Sequence, residues 1–104
     1  MSQFDLTGKN RVQRVPKRGV YDKEAVYDIV DRALIGHVGF AIDGEPYVIP
    51  TLIARQDDQI LVHGATTSRL MRHIQSGAPL CITVTHMDGL VLARSVFHHS
   101  VNYR

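Results

Sequence analysis

The chain has 104 residues, of which 44% are hydrophobic and 21% charged, enough for one ordinary globular core and too few for two. The formal net charge is +2, no apolar run approaches the roughly 20 residues of a membrane helix, and MSQFDLTGKN lacks the apolar block of a secretory signal. These features argue against a membrane span or an exported precursor and set the expectation of a cytoplasmic domain.

Charge is uneven along the chain. Lys9, Arg11, Arg14, Lys17 and Arg18 fall in a stretch without a single acid. Such an arm could touch nucleic acid or an anionic cofactor, but it has no interleaved aromatics and no nucleic-acid motif. Residues 1–19 are therefore expected to form a solvated or partner-wrapping basic arm, with no nucleic acid among the partners.

After Pro16, Asp22 is placed to cap a helix, with Glu24 in its first turn and Tyr21 able to pack on Val26. Val26, Ile29, Val30, Ala33 and Leu34 keep the spacing of one buried helical face, and Gly36 is the expected terminator. The period then changes. His37–Ile42 and Pro46–Pro50 flank Asp43-Gly44, a strong hairpin signal because a type I′ turn needs positive φ at both positions. Thr51–Arg55 follows as a further run, then a polar turn at Gln56–Gln59 and a strand at Ile60–His63.

The next stretch, Gly64-Ala65-Thr66-Thr67-Ser68-Arg69, leads into a helix carrying Leu70, Met71 and Ile74, with Thr67 as the expected N-cap. A strand feeding a helix presents free backbone N–H groups, and here Thr66, Thr67, Ser68 and Arg69 add hydroxyls and a guanidinium, a set that suits a phosphate. Ordinary capping with a solvated arginine explains the same residues locally.

Gly77 closes this second helix and Pro79 prevents its continuation. Two more β-rich runs, Leu80–Thr85 and Leu90–Phe97, surround a turn expected at Met87-Asp88-Gly89. Cys81 lies in the first of them, cannot make an internal disulfide, and reads as a buried small hydrophobe. The six histidines show no ligand spacing of a known metal site, so no metal is expected. G-x-S-x-G, a P-loop and G-x-G-x-x-G are all absent from the sequence. The whole reads as an α+β domain over 20–104, an antiparallel sheet curling into a small barrel, with one N-terminal helix and one short helix between strands. The last residues, His98 to Arg104, stop where another strand is expected. An incomplete barrel, finished by a partner or cut short, is the corresponding expectation.

The ordered series HVGF-AIDGEPYVIPT, ILVHGATTSRLMRHI and PLCITVTHMDGLVLARSVFHHSVNYR, preceded by the helix, resembles the pyridoxamine 5′-phosphate oxidase-like family of FMN-binding split β-barrels. It is most similar to the branch of flavin-nucleotide-binding proteins that includes nitroimidazole-resistance reductases. The resemblance implies a homodimer with FMN at its interface and a small-molecule substrate, with Ser68 and Arg69, beside Thr66 and Thr67, at the phosphate. It further implies that Val48, Ile49, Pro50 and Thr51 run along the flavin ring, partly through backbone groups, and that His63 is the catalytic candidate, near flavin and substrate. An FMN-dependent oxidoreductase of small aromatic or heteroaromatic compounds is the expected activity. A non-catalytic flavin, deazaflavin or haem binding module is the alternative, and a remnant whose exposed strand edge pairs with another chain is a third. Two departures stand out. Many relatives carry a lysine next to the phosphate-binding arginine or one position away, where this chain has Leu70, and relatives continue well beyond the final Tyr-Arg.

Overall fold

The computed structural model describes residues 2–94 and 99–104. Its elements run α1 (Lys23–Arg32), β1 (Ile35–Ile42), β2 (Glu45–Gln56), β3 (Gln59–Val62), α2 (Arg69–Gln75), β4 (Cys81–Thr83), β5 (Met87–Val91) and β6 (Ser100–Tyr103). β3, β2, β1 and β4 form an antiparallel sheet in that order, and β5 pairs with β6 in a separate two-stranded sheet. The chain is thus α+β with antiparallel sheets.

Asp22 caps α1 as its residue type and position suggest, its carboxylate accepting from the Ala25 N–H at 3.1 Å. The helix ends earlier than its apolar spacing implies, with Ala33 as C-cap, and Leu34 stands 74% exposed. Gly36 does not terminate it; Gly36 is already in β1, opposite Thr51. The reason is packing across the sheet. A Cβ at Gly36 would lie 3.1 Å from two carbons of Ile53 and 3.2 Å from Ile82, so glycine lets these inner-face side chains close over the strand.

The hairpin between β1 and β2 turns at Asp43 and Gly44, with φ of 50° and 81°. Beyond it, the two runs Pro46–Pro50 and Thr51–Arg55 are one continuous strand, so three strands precede α2. The prolines are tolerated for a reason visible in the ladder. Ile53 N–H donates to the Leu34 carbonyl at 3.0 Å and His63 N–H to the Leu52 carbonyl at 3.2 Å. Successive residues of an antiparallel strand bond to opposite neighbours, so the odd-numbered residues of β2 bond toward β1 and the even-numbered ones toward the β3 side. β3 pairs only with Ile53–Gln56. The missing N–H groups of Pro46 and Pro50 therefore face an edge that carries no strand among the described residues.

Val38, Phe40 and Leu70 form the buried centre, with Tyr47, Ile49, Val62, Ile74, Leu80 and Ile82 packed against it. α2 supplies Leu70 and Ile74 from one side, Leu80 comes from the loop before β4, and the inner face of the sheet supplies the rest. Alternation along the strands leaves the other face open: Ile35, Val48, Leu52 and Leu61 are each at least half exposed. Cys81 belongs to that outer face. It is exposed, not buried, because Ile82 takes the inner position on β4.

Met87-Asp88-Gly89 is not a turn. It opens β5, with a register irregularity between Met87 and Gly89, and it pairs with Asn102 and Tyr103 of β6. β6 lies within the last residues, to which the sequence pattern assigns no strand. Part of the run Leu90–Phe97, and His98 with it, lies outside the described residues.

α1 is tied to β2 by Arg55, whose guanidinium donates to both carboxylate oxygens of Asp31 at 2.7 and 2.8 Å and lies 4.1 Å over the Tyr27 ring. That hydrogen bond from Arg55 holds the Asp31 carboxyl below the usual carboxylate range. A folded value lowered in this way adds stability above the unfolded carboxyl pKa of about 3.9 and loses it as pH falls through the lower folded value. Asp31→Asn is expected to flatten the acid limb of the urea-midpoint profile by a small amount, since the pair is solvent-exposed. An unchanged acid limb in the variant would assign that loss to other carboxylates.

Candidate functional site

The open edge of β2 is the first component. Val48 and Pro50 direct their peptide groups to that edge, as the ladder alternation requires, and their side chains to the exposed outer face. Ile49 is different: its side chain packs against the core and its peptide groups face β1. Thr51 offers neither backbone group to the edge, but its hydroxyl donates to the His63 carbonyl at 2.9 Å. Together with the bond from His63 N–H to Leu52, this pins His63 to β2 from both sides of its backbone. Its imidazole is exposed.

The second component is the turn from Gly64 to Ser68. Thr66 and Thr67 are exposed on it, and Ser68, not Thr67, caps α2: its Oγ accepts from the Met71 N–H at 3.1 Å. The cap sits one residue later than the sequence suggests, and Leu70, which reaches the core, lies in the first turn that follows it. Ser68→Ala is expected to lower stability by about 1 kcal/mol through loss of the cap. A denaturant titration measures it, and an unchanged midpoint would show that the serine is held for another purpose.

Arg69, the third component, lies with its guanidinium carbon 4.4 Å above the Tyr47 ring. Tyr47 in turn stacks on Phe40 at 5.4 Å and 22°, and Phe40 packs on the His73 ring at 4.9 Å. A column of flat groups therefore runs from Arg69 into the core and restricts where its charge sits. Among the described residues no carboxylate lies within ion-pairing distance of Arg69, whereas Arg32, Arg55 and Arg104 each have one. A positioned guanidinium with no acid opposite it is suited to an external anion.

His73 is the residue that sequence spacing missed. It is 8% exposed and its Nε2 lies 2.9 Å from the Pro79 carbonyl; a carbonyl only accepts, so Nε2 carries the proton. The signal is in the spacing, since position 73 shares a helical face with Leu70, but nothing in the sequence separates a surface histidine from a hydrogen-bonded one. Tyr47 was likewise visible as a strand residue without any hint that it would carry Arg69.

A model of the family described as pyridoxamine 5′-phosphate oxidase matches residues 22–104. The chain belongs to the pyridoxamine 5′-phosphate oxidase family. Among solved structures, it is similar to a flavocytochrome from Azotobacter vinelandii, with 34% identity and a TM-score of 0.83 over 93% of this chain and 45% of the other. It is similar too to an FAD and haem binding protein from Mycobacterium smegmatis, at 35% identity and a TM-score of 0.74, covering 79% of this chain and 40% of that one. The chain thus spans less than half the length of either structure. No curated protein matches it significantly. The match accounts for the architecture: the α+β chain with its antiparallel sheets is a family split barrel, as the motif order implied. Within the described residues no helix is long and apolar enough to cross a membrane.

Proposed function

We propose that this member of the pyridoxamine 5′-phosphate oxidase family is the flavin-holding part of an FMN-dependent oxidoreductase acting on small aromatic or heteroaromatic compounds. The observation that carries the reading is the juxtaposition around β2 of a strand edge unpartnered among the described residues, the Thr51–His63 tie and, over Tyr47, the Arg69 guanidinium, which has no carboxylate partner among those residues. Backbone groups of Val48 and Pro50 suit the polar rim of a flavin ring, and the exposed apolar side chains beside them suit its face. Arg69, with Thr66 and Thr67 near it in sequence, supplies the charge and donors for the phosphate. The residues present therefore fit the group.

When bound, a flavin supplies the electron and hydride chemistry itself. The chain's part is to hold and orient. Thr51 and Leu52 fix the His63 backbone and leave its imidazole exposed beside the open edge of β2. A nitroaromatic or nitroimidazole acceptor is the substrate class that the resemblance to that reductase branch supports. The outer sheet face supports a homodimer with the cofactor at its interface, because Val48 at 68% and Leu52 and Leu61 at 50% exposure leave apolar area that a second copy would cover.

The test is direct. Purified protein mixed with FMN or FAD and passed through gel filtration is expected to emerge yellow, as a dimer, and to prefer FMN. Reduction by NAD(P)H followed by turnover of a nitroaromatic compound would establish the activity. Protein that emerges colourless with either flavin overturns the reading. A second reading, a binding module holding flavin or haem without turnover, is favoured by one observation: the two similar solved structures are described as a flavocytochrome and as an FAD and haem binding protein. Bound flavin that is never reduced, or a haem spectrum on reconstitution, would select it.

A further inference from the structure

A cavity of about 530 Å³ lies between the end of β1 and α2, walled by Ala41, Ile42 and Ala78 and bearing Arg69, Arg72, His73 and Ser76. Its polar groups are not equally available. Ser76 Oγ donates to the His73 carbonyl and accepts from Ala78 N–H at 3.3 Å, and His73 Nε2 is engaged by Pro79. What remains is two guanidiniums. Arg69 and Arg72 are three residues apart on one helix, so they share a face and repel each other. No acid lines the cavity, and among the described residues neither arginine has a carboxylate partner. Two like charges left together at a concavity, without an internal counter-ion, are arranged for a doubly charged ligand.

Position 70 explains why the second charge comes from there. Leu70 is 5% exposed and packs on Val38 and Phe40, so this residue cannot present a cation to solvent. The next residue on the Arg69 face is Arg72. Resting on the flavin reading above, we infer that Arg72 is the second phosphate-binding residue of this chain, closing with Arg69 on a phosphate monoester seated in the cavity. A phosphate monoester carries nearly two negative charges at neutral pH, which one guanidinium leaves half compensated. Arg72 thereby sets the preference for a phosphorylated flavin over the same ring without phosphate.

The experiment compares riboflavin with FMN, because both carry the same ring and differ only in the phosphate. In Arg72→Gln the ratio of the two dissociation constants is expected to fall about tenfold relative to the parent, through FMN alone, as for loss of one charged hydrogen bond. Arg72→Lys should recover part of the ratio, and Arg11→Gln, which removes equal charge from the basic arm, should leave it unchanged. Equal ratios in the parent and Arg72→Gln overturn the inference. If neither flavin binds, the proposed function fails on its own, and the inference is then judged with inorganic pyrophosphate. Titration of the flavin-free protein should shift the arginine Nε–Hε resonances of the parent at about tenfold lower pyrophosphate concentration than those of Arg72→Gln; no shift in the parent, or equal midpoints in the two proteins, overturns it.

Discussion

Arg69→Ala is expected to weaken FMN binding by about 10- to 100-fold, the cost of one guanidinium–phosphate contact, while riboflavin binds as before. The variant should stay folded. Arg69 is exposed, and its stacking on Tyr47 at 4.4 Å is an exposed cation–π contact contributing about 0.5–1 kcal/mol. Arg69→Lys separates charge from shape: it keeps the positive charge and loses the planar fork that lies on the Tyr47 ring. An intermediate affinity is the expected result, read by quenching of flavin fluorescence. Should Arg69→Ala retain FMN as tightly as its parent, the anion is held elsewhere and the proposed site is wrong.

How much of this could be read from the chain depends on whether the controlling interaction is local. Asp22 as a cap, Asp43-Gly44 as a hairpin and Gly77 as a helix end are decided within three or four residues, and each is found where expected. Gly36 was misread because its reason is long-range: a glycine after an apolar helical pattern looks like a terminator, but here it makes room for Ile53 and Ile82 from two other strands. Cys81 failed for a related cause. A short apolar run does not reveal which of its two faces is inward, and Ile82 opposite Val38 settled it. Met87-Asp88-Gly89 carries turn residues, yet pairing with β6 imposes a strand with a bulge.

The site divides along the same line. Arg69 and His63 stand at a chain position, the junction of a strand and a helix, that motif order alone identifies. The stretch Val48 to Thr51 is expected to run along a flavin, partly through backbone groups, and the pleat sends its alternate residues to opposite faces and its alternate peptide groups to opposite edges. Only Val48 and Pro50 therefore face the open edge, and Thr51 acts on His63 instead of presenting itself. No reading of residue types distinguishes these functions, because they follow from the length of β3, which stops at Val62 and pairs only with Ile53–Gln56, leaving that edge of β2 before Leu52 without a strand among the described residues.

Leu70 is where fold and site meet, and Leu70→Lys is expected to be strongly destabilising. Relatives that carry lysine at this point suggest that the change would strengthen phosphate binding. The structure argues the reverse. Leu70 is 5% exposed against Val38 at 0% and Phe40 at 6%, so lysine would forfeit those contacts and place an ammonium among apolar groups. Losing a buried leucine alone costs about 2–5 kcal/mol, and an unpaired buried charge adds to it. Against a total of about 5–15 kcal/mol for a natural domain, most of the stability would go. Leu70→Met, which keeps the volume, should cost less than about 1.5 kcal/mol. Urea unfolding of the three proteins gives the comparison. If Leu70→Lys proves as stable as its parent and binds FMN more tightly, α2 must be able to rotate residue 70 outward. Arg72 would then leave the cavity face, so the same result would remove the second guanidinium from the phosphate and return that role to position 70.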